Sequence, residues 1–563
     1  MPFVLYATAV YTGTLRTFAR KSTASVARSV AIITAKRFLR GENPTHMRAP
    51  STLPTESAAL AHRARGAIGL TIGFYVLALT VAGLLLWIPW AEARYSDSHQ
   101  PQFLILWLAA GAILWSILPR RERFEAPGAL LVADEHPDLF GVVGRVAQAT
   151  GQPMPAEIYL VRELNAWVSS RGGFMGLGSR RIMGLGLPLL QELSVSQVQA
   201  VVAHEFGHYA AGDVKLGPFI HQTRAAIGRT IATLAQSGAA IIRIIHKPFV
   251  WYGEFFLRFT HVISRGQELQ ADALSVRLVG PDTLATALKS VHEGAEAFAM
   301  YWRGLAVPVL RAGFRPPLAA GYRLFRSSPN AARRLEAFMS DELERGTSDP
   351  YDTHPPLGER MARILAVEAA HGSPPALPED ARPAIELLGD VDRAEAQLLY
   401  AIAPDRASGL ALKPIDWSSV GERVFVAQFR RLAAEVSPVL GGITASTAPM
   451  DKVGMEALAR RLLGPRLGGA GRDDLAEVSA GVVAAATVCN LVSAGWAIEV
   501  MPGQPVTLRR GNTELRPFAV MRGLARGEKR PSDWSELCSV GGISDVALVP
   551  KNAAVKSGHS DGL

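Results

Sequence analysis

"LSVSQVQAVVAHEFGHYAAGD", residues 193–213, is the stretch on which the reading of this chain turns. Ser194 stands three residues before Gln197, the capping-box spacing of a helix start. Val198, Val201, Val202 and Ala203 continue that helix, and Gly212 is a natural stop. On it His204 and His208 lie one turn apart on one face, so both imidazoles can reach one ion. Glu205 is rotated by about 100 degrees from His204. It can therefore face a substrate without ligating the metal. A hydrolytic zinc site needs neutral imidazoles and an open position for water, whose proton a nearby carboxylate then takes.

A third ligand is offered by "SRGQELQADALSVRLVG", residues 264–280. Glu268 and Asp272 are four apart, on one face of a second predicted helix. A carboxylate from that helix completes a His2Glu site with water in the fourth position. Asp272 can orient His204 or His208 through the ring nitrogen that does not bind metal. Two other leads fail. "GLGSRR", residues 176–181, has Arg181 where a dinucleotide loop wants glycine. Cys538 stands beside Trp534 with no catalytic histidine arrangement near it, and reads as a packed thiol.

The chain is 563 residues long, 48% hydrophobic and 19% charged, with a net charge of +9. Residues 1–65 hold ten Lys/Arg and two acids, so +8 sits in that segment and only +1 in the rest. The basicity belongs to a tail, and no nucleic-acid-binding face follows from it. Residues 1–65 read as a basic, disordered segment. Their first 46 residues resemble an organelle transit peptide in composition, or else precede a start at Met47. Two cysteines exclude a disulfide framework and a Cys-rich zinc site.

Residues 66–90, "GAIGLTIGFYVLALTVAGLLLWIPW", carry no charge over 25 residues, enough to cross a bilayer. "PQFLILWLAAGAILWSILP", residues 101–119, is again uncharged, and Trp87, Trp90 and Trp107 suit a headgroup layer. Together, residues 66–119 read as a transmembrane hairpin. Arg63 and Arg65 precede it and Arg120, Arg121 and Arg123 follow it, which places both outer flanks in the cytoplasm. Residues 120–370 then form the catalytic domain on that side. Within it, residues 216–263 are apolar but interrupted by Arg229, Arg243, Lys247, Glu254 and Arg258. Those charges favour a segment lying in the interface or folding over the site as a lid. Residues 371–383, "HGSPPALPEDARP", read as a linker. Residues 384–563 form a C-terminal α+β domain, with strands at "WAIEVM" and at "VTLRRGNTEL", the latter turning over Gly511-Asn512.

HEFGH, a hydrophobic insertion and then SRxxExxAD resemble the HtpX-like and CAAX prenyl protease family of membrane zinc endopeptidases. "NAWV", residues 165–168, and "THPPLGERMARI", residues 353–364, resemble two further stretches of that family. The resemblance covers roughly residues 66–370. It implies a mainly α fold with an α+β zincin-type domain, and one zinc ion per subunit held by His204, His208 and Glu268. Glu205 is then the general base, with Asp272 and Arg360 supporting the site. Asn165 contacts the peptide backbone, and His354 donates to the developing oxyanion. The implied substrates are polypeptides, above all membrane proteins, and the expected location is a bacterial inner membrane with the catalytic domain cytoplasmic; an organelle membrane is the alternative. An extended substrate is expected to pair beside the strand at residues 181–190. Two other readings remain open: a CAAX-type processor of prenylated proteins, and an idle scaffold that presents the C-terminal domain.

Overall fold

A computed structural model of the chain describes residues 56–95, 102–118, 124–172, 180–210, 213–236, 240–344, 355–371, 376–402, 412–464 and 472–549. It is mainly helical with small sheets, and it falls into two units. Among the described residues, the first unit holds 56–292 and 339–402, and the second holds 293–338 and 412–549.

The first unit opens with the apolar pair read from the sequence, α1 (Glu56–Tyr95) and α2 (Gln102–Ile117). Large apolar side chains such as Ile72, Val76, Leu79, Trp87, Leu108 and Trp115 point outward from this pair. A water-soluble helix would turn polar groups there, so the hairpin presents the surface expected of a lipid-facing one. Trp107 Nε1 donates to the Leu86 carbonyl at 3.4 Å, tying the two helices together.

Beyond the hairpin come β1 (Ala129–Leu131), α3 (Pro137–Ala149), β2 (Glu157–Val161), β3 (Ala166–Arg171) and β4 (Arg180–Gly186). They form one sheet in the order β1-β2-β4-β3, with β2 parallel and β3 antiparallel to β4. β4 is therefore paired on both sides, and the free edge next to it belongs to β3. β4, where the sequence suggested that an extended substrate pairs, therefore has no free edge, and among the described strands the edge on that side is β3. Two glycines of β4 make this packing possible. A Cβ on Gly184 would lie 2.3 Å from the Trp167 ring, and one on Gly186 would lie 2.0 Å from the Glu163 carbonyl oxygen.

Next follow α4 (Val195–Ala210), α5 (Asp213–Ala235) and α6 (Ala240–Val279). Gly212, the expected helix stop, lies outside the described residues. Here the structure differs from the lid expectation for residues 216–263. Ala226, Ile227 and Ile231 of α5 and Ile242, Phe249 and Phe256 of α6 share one buried core with Phe74, Ala78, Ala82, Ala110 and Ile113 of the hairpin. The segment completes a four-helix bundle. One of the charges that argued against this is accommodated: Arg229 Nε donates to the Ser116 carbonyl at 3.0 Å, at the end of α2. Carbonyls of a helix's last turn have no partner inside the helix and carry partial negative charge, so a guanidinium is welcome there. Ser116 and Thr230 add a buried hydroxyl pair at 2.7 Å, and Tyr252 donates to the Leu70 carbonyl at 2.5 Å.

α7 (Pro281–Tyr301) and α8 (Pro329–Glu344) each cross the boundary between the units, and α9 (Leu357–His371) and α10 (Val391–Ile402) belong to the first. The expected linker, residues 371–383, is not a free connection where it is described. Leu377 N donates to the Leu278 carbonyl, Ser196 N to Asp380 O and Val195 N to Arg382 O, all at 2.9–3.0 Å. Asp380 N in turn donates to Ser196 Oγ at 2.6 Å. The segment is a strap across the start of α4, and the unit continues to residue 402.

In the second unit Tyr301, Tyr322, Phe325 and Trp417 form an aromatic cluster. Trp417 Nε1 donates to the Pro317 carbonyl at 3.0 Å. This cluster explains why residues 293–338 belong with the C-terminal part. The unit also contains α11 (Lys452–Leu463), α12 (Arg472–Ser493), α13 (Pro517–Arg526), α14 (Pro531–Gly541) and a three-stranded sheet of β5 (Ala497–Glu499), β6 (Thr507–Arg510) and β7 (Thr513–Leu515). β6 and β7 turn over Gly511, whose φ of 59° is the left-handed conformation that glycine adopts freely, as the sequence suggested. α12 is as apolar as a membrane span but is mostly buried within the described structure. Cys538 is fully buried and burial holds its thiol up at about 11, which makes it a packed thiol.

Candidate metal centre

α4 begins as its sequence requires. Gln197 N donates to Ser194 Oγ at 3.3 Å, while Gln197 Oε1 accepts from Ser194 N at 2.9 Å. The first N–H groups of a helix lack intrahelical acceptors; those of Val195 and Ser196 are satisfied by the strap. The helix that carries His204 and His208 is thereby anchored at its N-terminus.

α4 and α6 pack antiparallel and unusually close. A Cβ built on Gly207 would lie 2.7 Å from Ala271 Cα, so only glycine fits between the histidines at this point. One turn further along, Ser275 Oγ donates to the Ala200 carbonyl at 2.8 Å in the buried interface. This contact sets the register, and with it the positions of Glu268 and Asp272 against the two imidazoles.

His204 Nε2 lies 3.4 Å from Glu268 Oε2, and His208 Nε2 lies 3.5 Å from Glu268 Oε1. One ligand atom from each residue falls within 4.8 Å of the others. Ligands about 2.0–2.1 Å from a tetrahedral ion stand about 3.3–3.4 Å apart. Each imidazole thus stands near that spacing from one Glu268 oxygen, and with one donor atom from each residue within 4.8 Å of the others the three residues could hold a metal ion. Glu268 is buried, His208 is half-buried, and Glu205 is half-buried next to them on α4.

Asp272 chooses between the histidines. Its Oδ1 lies 2.9 Å from His204 Nδ1, which fixes that ring and leaves Nε2 for the metal. Arg360 from α9 then holds Asp272 bidentately, Nε to Oδ2 at 2.9 Å and Nη2 to Oδ1 at 2.6 Å. Its Nη1 also lies 3.8 Å from Glu268 Oε2. Burial alone would push the His204 imidazole down, but the Asp272 and Glu268 carboxylates outweigh it and raise it to about 9. Burial would raise Asp272; hydrogen bonds from His204 and Arg360 prevail and hold it below the ordinary carboxylate range.

Asn165 is exposed at the start of β3, with its carbonyl accepting from Gly186 N at 2.9 Å. The β3–β4 hairpin is tied to the end of the metal helix by Arg181, whose guanidinium lies 4.0 Å from the Tyr209 ring centroid. His354 lies outside the described residues. The structure therefore brings together His204, Glu205, His208, Glu268, Asp272 and Arg360. Residue-by-residue reading missed Gly207 and the strap. A glycine inside an otherwise strong helix was the available signal for the first.

The sequence profile of Peptidase family M48 matches residues 133–368. A protein named Protease HtpX from Idiomarina loihiensis is 27% identical over 212 residues, covering 35% of this chain and 70% of that protein. One named Protease HtpX homolog from Gemmatimonas aurantiaca is 27% identical over 324 residues, covering 53% of this chain and 99% of that protein. A further Protease HtpX homolog, from Desulfatibacillum aliphaticivorans, is 26% identical over 263 residues, or 43% of this chain and 72% of that protein. No solved structure matches.

Proposed function

We propose, from the match of residues 133–368 to peptidase family M48 and the similarity to proteins named Protease HtpX, that the chain is a membrane-anchored zinc endopeptidase that cuts extended segments of membrane-associated polypeptides. The observation that carries this reading is the convergence of His204, His208 and Glu268 beside Glu205. Two imidazoles and a carboxylate converging within reach of one ion are the donor set of hydrolytic zinc sites, and a purely structural site has no use for a further carboxylate beside it. A bound zinc ion would supply Lewis acidity, polarising the scissile carbonyl and making water a better nucleophile.

The chain's own residues do the rest. Glu205 takes the proton of the attacking water and returns it to the leaving amine. Asp272 keeps His204 in one tautomer, and Arg360 keeps Asp272 ionised and aimed. The free edge of β3 accepts an extended substrate through main-chain hydrogen bonds, with Asn165 at its start, which gives affinity with little sequence preference. His354 supports the oxyanion.

The apolar outer face of the α1–α2 hairpin supports a bilayer anchor, and the flanking arginines support a cytoplasmic metal site, at the inner membrane of a bacterium. The bundle formed with α5 and α6 is filled by Phe74, Phe249 and Phe256. That favours a site working at the membrane surface over a prenyl-binding chamber within the bundle.

The test is hydrolysis of an unfolded polypeptide by the detergent-solubilised chain. Stripping with a chelator should abolish cleavage, and zinc should restore it. Cleavage that survives complete metal removal would refute the proposal. Impermeant labelling of single cysteines in intact cells should reach position 97 and spare position 123.

A further inference from the structure

The second unit carries a charge cluster that peptide hydrolysis does not use. Arg522 and Arg526 stand four apart on α13, and Arg334 on α8 lies within electrostatic reach of both. The buried carboxylate at their centre is Glu477 of α12, which accepts from Arg526 Nε at 2.7 Å through Oε1. Arg522 Nε is shut off from solvent with no hydrogen-bond partner, and Glu477 Oε2 likewise has none. Among the described residues, neither Arg334 nor Arg522 has an ion-pair partner. One guanidinium thus pairs with the buried carboxylate, and two more stand within its electrostatic reach. Glu528, the other acid that acts on Arg522, is exposed and screened by solvent.

Held together, like charges cost free energy unless something in the structure or a ligand neutralises them. Burial, followed by repulsion from Arg334 and Arg526, pushes Arg522 down to about 10. A guanidinium cannot readily relieve this by losing its proton. A dianion can, because guanidinium forks match the oxygens of a tetrahedral oxyanion, and two positive charges remain after Glu477. A single carboxylate ligand would leave part of that excess standing.

We propose that Arg334, Arg522 and Arg526 form a binding site for a phosphate group, supplied by a soluble phosphate compound or by an acidic phospholipid headgroup. Glu477 orients Arg526 from behind. Arg522, Arg526 and Glu477 lie beyond residues 133–368, and Arg334, although within that stretch, belongs to the second unit, which thereby gains a ligand of its own.

Hydrogen exchange on the full-length chain tests this, read on peptides covering residues 329–338 and 517–530. The chain is compared in chloride and in inorganic phosphate at matched ionic strength. It is also compared in nanodiscs of phosphatidylcholine alone and of phosphatidylcholine doped with phosphatidic acid. Slowing of exchange by several-fold with phosphate assigns a soluble ligand; slowing only with phosphatidic acid assigns a headgroup. Arg522→Gln and the milder Arg334→Gln, at an exposed position, should each remove the effect. In chloride both variants should melt no lower than wild type, because repulsion has been relieved. No protection from either source overturns the proposal, as does protection that persists in both variants.

Discussion

Gly207→Ala isolates the contact that positions the metal ligands. The added methyl carbon would lie 2.7 Å from Ala271 Cα and 3.0 Å from Ala271 Cβ. Carbon atoms in ordinary contact sit about 3.5–4.0 Å apart, so α4 and α6 must part by about 1 Å here. Overpacking of this kind costs ~1–3 kcal/mol. Alanine is also the better helix former by ~1 kcal/mol, which offsets part of that loss. Thermal stability should therefore fall only slightly. Metal affinity should fall much further, because Glu268 and Asp272 move with α6 while the imidazoles move with α4. An imidazole–carboxylate spacing of 3.4–3.5 Å has little room to grow before one ligand lets go. Losses of about 10–100-fold accompany disturbed ligand positioning. Competition with a chromophoric zinc chelator reads this directly on the purified chain. Wild-type zinc affinity in Gly207→Ala would refute the claim that this close approach sets the site.

Two further changes probe the support of the site. Asp272→Asn removes the negative charge set against His204 and Arg360 and turns one acceptor oxygen into a donor NH2, and should cost about 10–100-fold in zinc affinity with the helices intact by circular dichroism. Ser196→Ala removes the acceptor of the Asp380 N–H and should cost about 1–2 kcal/mol in thermal unfolding, with faster hydrogen exchange confined to residues 376–388.

What the sequence made legible was whatever local pattern determines. The Ser194–Gln197 capping box, the one-turn spacing of His204 and His208, the uncharged hairpin and the Gly511 turn all reappear at the expected residues. What it hid depends on partners distant in the chain. The strap is held largely by backbone N–H and C=O groups, which every sequence possesses, so residues 376–383 looked like a linker. Arg229 counted as a charge in an apolar helix until its carbonyl acceptor on α2 was known. β4 reads as a substrate strand in isolation, and only the sheet order shows that it has no free edge. Asp272 faced a choice between two histidines that only the packing of α6 on α4 decides.

The most direct test of the central claim uses Glu205→Gln loaded with zinc and compared with wild type on one polypeptide substrate. Metal content and cleavage are measured on the same preparation. The amide fits where the carboxylate stood but cannot take the water's proton. One zinc per chain should remain, while turnover falls by at least ~100-fold. Cleavage within a few-fold of wild type, at full zinc occupancy, would contradict the role of Glu205 and the mechanism built on it.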